Sequence, residues 1–217
     1  MNYLVIDLEM CNVPKKSRRD GFNCRSEIIQ IGAVLLDERY NETGRLSQYV
    51  KPQYGCIDRF IEKLTGIKYV NVKHAPSVRE ALTHLIDWIG DREYRVLAWS
   101  NSDFNQLNKE LAAKGINDER IGGFMNEENW IDYQHTFDER FGYKHNTGLE
   151  QALILCDIEA EGRLHDGLDD AANTAALIRF LENDPDFVIE DTLSKYCPDE
   201  ESGFTLGSVF ANLGLAC

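Results

Sequence analysis

Two long apolar runs near the start of the chain constrain the fold more than any other feature. "YLVIDLE" (Tyr3–Glu9) and "EIIQIGAVLLD" (Glu27–Asp37) have the length and composition of buried β-strands. "LSQYVK" (46–51) and "YRVLAW" (94–99) predict two further strands. Because consecutive strands come first and helical patterns then alternate with strands, the order predicts an α/β fold. Its mixed central sheet should have helices on both faces.

Several segments have apolar residues at helical spacing. "PSVREALTHLIDWIG" predicts a helix that ends at Gly90, and "FNQLNKELAAKG" one that ends at Gly115. "TGLEQALILC" opens with Thr147 and Glu150 in the spacing of a capping box. The inward faces of the first two helices should consist of Val78, Leu82, Leu85, Ile86 and Ile89 in one and of Phe104, Leu107 and Leu111 in the other.

The last helical pattern runs from about Asp169 to Asn183, and Pro185 follows it. Ala171, Ala172, Ala175 and Ala176 predict a thin helix surface that lies close to the sheet. Residues 1–185 are therefore predicted to form one domain. Residues 186–217 are interpreted as a C-terminal extension of uncertain role, which either binds a partner or packs back on the same domain.

Charge and cysteine content exclude several classes of protein. The chain has 23 basic and 37 acidic residues, a net charge of −14, which argues against broad binding of nucleic-acid duplexes. A small site where metal ions carry the positive charge stays compatible with it. The sequence predicts neither a signal peptide nor a membrane span. Its six dispersed cysteines favour reduced thiols and a cytoplasmic location over a zinc site.

Acidic side chains interrupt the apolar patterns at three places. Asp7 and Glu9 are two residues apart in the first predicted strand, so both side chains should lie on one face. Asp103 follows the strand "YRVLAW" at the start of a helix, where a helix cap is the alternative interpretation. Asp170 lies five residues after His165, near the start of the last helix.

Buried carboxylates that converge need a positive partner. Divalent cations take oxygen ligands, and two such ions about 3.5–4 Å apart stabilise both the attacking and the leaving oxygen of a phosphoryl displacement. The four acids therefore predict a site for two divalent cations, Mg²⁺ or Mn²⁺. A neutral histidine beside that site is a candidate base for the attacking water.

These residues resemble the motifs of the DEDDh family of 3′–5′ exonucleases. "DLEM", "WSNSDFNQL" and "HDGLDDAANTAAL" are similar to its three motifs, and "LTGI", "AP", "WID" and "GLEQAL" match between them. Together the matches cover nearly all of residues 1–182. The chain most resembles the Eri-type branch, which includes histone-mRNA and small-RNA 3′ exonucleases. The resemblance implies an RNase H-like fold with about five strands.

The resemblance also implies a role for each acid. Asp7 would bridge both metals, Glu9 and Asp170 would complete the shell of the first, and Asp103 would hold the second. His165 would be the general base. From their positions in the sequence alone, Asp169 is expected to cap the last helix and Asp166 to lie in an exposed loop. The terminal nucleotide would contact Met10, Leu64, Thr65 and Ile67, although core packing is the alternative for Leu64 and Ile67.

One loop, "CNVPKKSRRDGFNCR", is basic in an otherwise acidic chain, and we take it to be the single local basic cluster. We expect it to contact the phosphates of a single-stranded 3′ end, with a solvated loop as the alternative. Its cations include Lys15, Lys16, Arg18 and Arg19.

The leading hypothesis is a metal-dependent 3′–5′ exonuclease that shortens single-stranded ends, RNA rather than DNA, to nucleoside 5′-monophosphates. A DNA exonuclease of the proofreading kind and a non-catalytic module that binds strand ends are the alternatives. His165 argues against the binding module, which has no need of a base. The sequence leaves protein partners and the oligomeric state open, a homodimer included.

Overall fold

A computed structural model describes residues 1–17 and 22–189. Its five strands form one mixed sheet in the order β3-β2-β1-β4-β5. β1, β2 and β3 are antiparallel neighbours, whereas β4 is parallel to β1 and β5 is parallel to β4. The predicted α/β class and the mixed sheet are therefore confirmed. The strands are β1 (Asn2–Asn12), β2 (Ser26–Leu36), β3 (Glu42–Tyr49), β4 (Tyr94–Ala98) and β5 (Trp130–Asp132).

The helices lie between and after the strands. Short 3-10 turns occur at Lys15–Ser17 and Glu127–Asn129. The α-helices are α1 (Arg59–Thr65), α2 (Tyr69–Val72), α3 (Val78–Ile89), α4 (Ser102–Ala113), α5 (Glu119–Phe124), α6 (Tyr133–Phe141), α7 (Leu149–Leu155) and α8 (Gly167–Asn183).

The two faces of the sheet are covered by different helices. Leu4, Ile6 and Leu8 of β1 point to one face, where they join a core that includes apolar residues of α3, α4 and α5. α8 packs on β1, β2 and β3 at the other face. Both predicted inward faces are largely confirmed, since Leu82 and Leu107 are fully buried. Burial of each such side chain stabilises the fold by about 1.5–3 kcal/mol.

Glycines set the distance between α8 and the sheet. A Cβ atom on Gly32 of β2 would lie 2.0 Å from the carbonyl carbon and oxygen of Gly167, at the start of α8. The predicted close approach is therefore present, but these two glycines create it. Among the alanines expected to face the sheet, Ala171 and Ala175 are buried, whereas Ala176 is exposed, which corrects that part of the prediction.

The predicted capping box of α7 is wrong. Gly148 is the N-cap of this helix, and no side chain caps it. The Thr147 hydroxyl donates instead to Oδ1 of Asp138 at 2.5 Å, and the backbone carbonyl of Thr147 accepts from Trp99 Nε1 at 3.1 Å. Thr147 is therefore used to join α6 and the end of β4 to the loop before α7.

A buried ionic cluster on β2 and α4 had no counterpart in the sequence predictions. Lys114 Nζ lies 2.6 Å from Glu27 Oε1 and 2.7 Å from Glu110 Oε1, and both carboxylates are fully buried. The backbone N–H of Ile28 donates to Glu110, and that of Gln53 to Glu27. These bonds satisfy the buried charges and fix α4, which carries Asp103, against β2.

Met1–Phe187 form one compact unit. The predicted boundary at residue 185 stays a prediction, and residues 190–217 of the predicted extension lie outside the described part of the chain. Within that described part, no helix combines the length and the apolar character that a bilayer span requires.

Candidate functional site

The second half of β1 carries the first two acids. Their backbones pair with β2, Asp7 opposite Gly32 and Glu9 opposite Gln30. Because alternate residues of a strand share a face, both side chains point away from the core that contains Ile6 and Leu8. Glu9 is buried and Asp7 half-buried, so two carboxylates lie side by side on a central strand as predicted.

Asp103 reaches the same strand from α4. β4 pairs with β1 only as far as Ile6, so β4 does not pair with the N–H of Leu8. Oδ1 of Asp103 accepts a hydrogen bond from this N–H at 3.1 Å, and Oδ2 accepts one from Ser102 Oγ at 3.2 Å. The N-cap of α4 is Asn101. The position of Asp103 is thus set by its contact with β1, and the alternative of an ordinary helix cap is excluded.

The start of α8 brings the fourth acid and the histidine. The backbone N–H of His165 donates to Oδ2 of Asp170 at 2.9 Å, and His165 has a left-handed backbone with φ of 63°. One ligand atom from each of Glu9, His165 and Asp170 lies within 4.8 Å of the others. Oδ1 of Asp170 is buried and has no hydrogen-bond partner in the described part of the chain. This oxygen is free to bind a cation.

The other two aspartates of this segment hold the backbone, but in roles opposite to those predicted. Asp166 is the N-cap of α8, where it accepts from the N–H groups of Leu168 and Asp169. Asp169 accepts instead from the N–H of Arg163 at 2.7 Å. Asp166 is half-buried and does not lie in an exposed loop. The local hydrogen bonds of the turn, rather than proximity to the helix start, decide which aspartate caps.

The site is electrostatically unfavourable in the absence of a cation. Burial raises the pKa of Glu9 to about 8, and the carboxylates of Asp170, Asp166 and Asp103 add to the effect. Burial likewise raises the pKa of Asp103 to about 7, against hydrogen bonds that favour its ionised form. Burial and neighbouring acids raise the pKa of Asp7 well above its usual value. Such a group of oxygen ligands fits hard divalent cations, which would restore the ionised forms.

Gln30 is a structural residue of the site that the sequence predictions missed. It is fully buried on β2, its Oε1 accepts from Gly167 N–H at 3.1 Å, and its Nε2 contacts Asp166 Oδ2 at 3.2 Å. Gln30 therefore ties the start of α8 to β2. A polar residue inside the run "EIIQIG" was the signal that could have identified it.

The predicted contacts of the terminal nucleotide are only partly accessible. Met10 packs against the apolar core and is half-buried. Thr65 is buried, where its hydroxyl bonds to Ile61 O and accepts from the N–H of Ile67. Ile67 is buried too, and Leu64 is half-buried. The roles of these residues in binding a nucleotide stay predictions.

The predicted basic loop begins after β1. Lys15 and Lys16 are exposed on a 3-10 turn, whereas Arg18 and Arg19 lie outside the described residues. The prediction of a single basic cluster was wrong. The segment 59–73, "RFIEKLTGIKYVNVK", has four basic residues and one acidic residue, a net charge of +3.

Comparison with known families identifies the chain. The model of the exonuclease family RNase_T matches residues 4–178. The mouse protein "ERI1 exoribonuclease 2" is 31% identical over 180 residues, which cover 70% of this chain and 25% of that protein. The Drosophila melanogaster "3'-5' exonuclease Snipper" is 26% identical over 197 residues, covering 79% and 66%. The chain thus spans about a quarter of the length of the first of these relatives.

Solved structures share the fold. The nuclease domain of 3'hExo, described as a DEDDh family member bound to rAMP, superposes with a TM-score of 0.69 at 24% identity. The alignment covers 84% of this chain and 92% of that domain. Cell-death related nuclease 4 (CRN-4) gives a TM-score of 0.67 at 20% identity, with 84% and 64% covered. The sheet order, the acids and the family match agree, and the chain, which is similar to the ERI-type proteins, belongs to the RNase_T exonuclease family.

Proposed function

We infer that this protein is a metal-dependent 3′–5′ exonuclease that removes nucleoside 5′-monophosphates from single-stranded ends, RNA in preference to DNA. One observation carries the proposal: Asp7, Glu9, Asp103 and Asp170 converge from β1, α4 and α8 beside His165. Membership of an exonuclease family supports the reaction class, and relatives named exoribonucleases support the preference for RNA.

The carboxylates are suited to two divalent cations, Mg²⁺ or Mn²⁺. In this proposal Asp7, Glu9 and Asp170 would hold one ion, and Asp7 and Asp103 would hold the other. The unpartnered Oδ1 of Asp170 supports its role as a ligand. When bound, such ions stabilise the attacking and leaving oxygens of a phosphodiester hydrolysis.

His165 is the proposed general base. Its side chain is exposed, so water and a strand end reach it, while its N–H bond to Asp170 holds its backbone beside the ligands. A neutral imidazole nitrogen accepts the proton of the water that attacks phosphorus. The P–O3′ bond then breaks, and the 3′ oxygen leaves with the shortened strand. The alternative of a binding module has no use for a histidine in this position.

The remaining contacts are proposed from the position of the motifs. Met10, Leu64, Thr65 and Ile67 would adjoin the terminal nucleotide, and the cations Lys15, Lys16, Arg18 and Arg19 would contact phosphates of the strand. The proposal also includes a cytoplasmic location, based on the reduced thiols expected from the sequence. Elution volume in solution would test the homodimer that the sequence leaves open.

Stepwise shortening of 5′-labelled oligomers tests this function. Matched RNA and DNA single strands are incubated with Mg²⁺ or Mn²⁺, and each variant of the site is compared with the parent protein. We expect a ladder of products from the 3′ end, faster on RNA, and release of 5′-monophosphates. Faster shortening of DNA would favour the DNA exonuclease, and strand binding without any cleavage would favour the binding module.

A further inference from the structure

An exposed aromatic and basic surface lies on the two short helices that follow β3. Phe60 of α1 and Tyr69 of α2 have 65% and 68% of their surface exposed, and the adjacent Val70 has 60%. Single exposed apolar residues are common, but here each ring directly follows a cation in the chain, Phe60 after Arg59 and Tyr69 after Lys68, and exposed aromatic rings beside cations are typical of surfaces that bind single strands. We call this surface, formed by Arg59, Phe60, Lys63, Lys68 and Tyr69, the α1–α2 face.

The charge of the α1–α2 face is opposite to that of the protein. Residues 59–73 have a net charge of +3, whereas the chain has −14. Lys68 lies 3.5 Å from Glu62, but Arg59 and Lys63 have no ion-pair partner among the residues that the structure describes. A groove on this face is lined by Arg59, Glu62, Lys63, Gly66, Lys68 and Arg163. Cations that lack protein partners can neutralise phosphates.

This groove extends to Arg163, in the loop that carries His165. Nη2 of Arg163 donates to the carbonyl oxygens of Lys63 at 2.7 Å and Leu64 at 3.1 Å, at the end of α1. Arg163 lies two residues before His165, and its N–H bonds to Asp169 of α8. A strand that occupies the groove therefore passes directly beside the loop that carries the proposed base.

We propose that the α1–α2 face binds the single-stranded nucleic acid beyond its terminal nucleotide. Arg59, Lys63 and Lys68 contact phosphates, and bases stack on Phe60 or Tyr69. A single strand fits better than a duplex, because stacking needs unpaired bases and the acidic remainder of the protein repels a long duplex. The inference rests on the proposed exonuclease function, and it adds a binding surface outside the acidic site.

Substrates of two lengths test the α1–α2 face. A dinucleotide contains the scissile bond but little strand to occupy the groove, whereas an oligomer of about ten nucleotides extends across it. The test variant is Lys63→Glu with Lys68→Glu, and Tyr69→Ala is the uncharged variant. Lys51→Glu with Lys109→Glu reverses two exposed lysines elsewhere, one in the loop after β3 and one on α4, and it is the matched control for charge.

We expect the test variant to raise KM for the oligomer roughly tenfold more than the control does, with kcat and dinucleotide cleavage near the parent values. Loss of two phosphate contacts should also reduce the slope of log Kd against log salt by about 1.4 for a single strand. Tyr69→Ala should weaken oligomer binding without changing that slope. Fluorescence anisotropy of a labelled oligomer measures binding independently of turnover.

Two results would overturn the inference. Equal oligomer affinity in the test and control variants would show that the strand does not bind the α1–α2 face. A protein partner would then be the remaining candidate for this face. Equal losses for dinucleotide and oligomer would show that the lysines act through the active site. A parent protein that binds the oligomer through this face but cleaves neither substrate would instead refute the proposed function alone.

Discussion

Gly32→Ala should disturb the active site without altering any acidic residue. The added Cβ would lie 2.0 Å from the carbonyl carbon and oxygen of Gly167 and 2.3 Å from the nitrogen of Leu168. Ordinary contact begins at 3.4 Å, so the start of α8 must move away from β2 by about 1.4 Å. Both partners are backbone atoms, so no side-chain rotation can relieve the contact.

The displacement of α8 determines how much stability and how much activity Gly32→Ala should lose. Asp170 lies one turn after Gly167, and the hydrogen bond from Gly167 to Gln30 must lengthen as the helix moves. Overpacking of this kind costs about 1–3 kcal/mol, which lowers the Tm by roughly 2–4 °C per kcal/mol in a domain of this size. A misplacement of about 1 Å in an active site can reduce the rate about 100-fold. We expect kcat to fall by about that factor.

Alanine substitutions at two other glycines should have smaller effects on rate and stability. A Cβ on Gly167 would lie 3.2 Å from Gly32 N, a milder contact, and one on Gly122 of α5 would meet nothing within 4 Å. Single-turnover rates and thermal unfolding of the three alanine variants should rank them Gly32, Gly167, Gly122 in decreasing severity. Gly122→Ala should be neutral or more stable, since alanine favours a helix. Parental rate and Tm in Gly32→Ala would refute the argument from close approach.

Four further outcomes are expected at the site. Asp170→Ala should abolish turnover, whereas Asp166→Ala should cleave with a stability loss of about 1 kcal/mol, the cost of a lost cap; equal inactivity would contradict the ligand assignment. Chelation should stop cleavage, and the Tm of the chelated protein should fall between pH 5 and 8. The reason is that folding raises the pKa of Glu9 from 4.5 to about 8, so the folded protein is most stable below pH 4.5 and loses stability as the pH rises towards 8. A Tm that does not change with pH would count against this account of the site. His165→Ala should lower kcat roughly 10²–10⁴-fold with near-normal binding of metal and strand, measured by single-turnover rates across pH; near-parental rates would exclude the base. Arg163→Ala should lower kcat more than Arg140→Ala, because Arg163 joins the loop of His165 to the end of α1, whereas Arg140 makes comparable bonds to carbonyls at the end of α8. Equal rates in the two variants would show that the bonds of Arg163 are only structural.

Local patterns in the sequence predicted the main elements and indicated that the four acids converge. Apolar runs, which involve residues close together in the chain, predicted four of the five strands of the mixed sheet, whereas the fifth was expected only from the family resemblance. The period of two in a strand was sufficient to place Asp7 and Glu9 on one face. Asp103 and Asp170 were assigned to the site from the order of the motifs, and the structure places Asp103 against the backbone of β1 and both carboxylates near Asp7.

The errors about helix caps concern side chains that have more than one possible hydrogen-bond partner within a few residues. Thr147 and Asp169 both occupy positions at which a side chain can cap a helix. The Thr147 hydroxyl binds Asp138 instead, and the Asp169 carboxylate binds the N–H of Arg163. Asp166 caps α8 because the backbone before it turns at His165. Competition from these other partners, rather than local propensity, decided the caps.

The sequence by itself therefore determined which residues are candidates for the chemistry, because strand and helix periods act over a few positions. Only the tertiary structure decided how closely those residues approach and what holds them there. The contact of Gly32 with Gly167, the bond from Leu8 to Asp103 and the pair formed by Glu27 with Lys114 join residues that are 87 to 135 positions apart. Distances of this kind depend on how whole elements pack, and no local pattern encodes them.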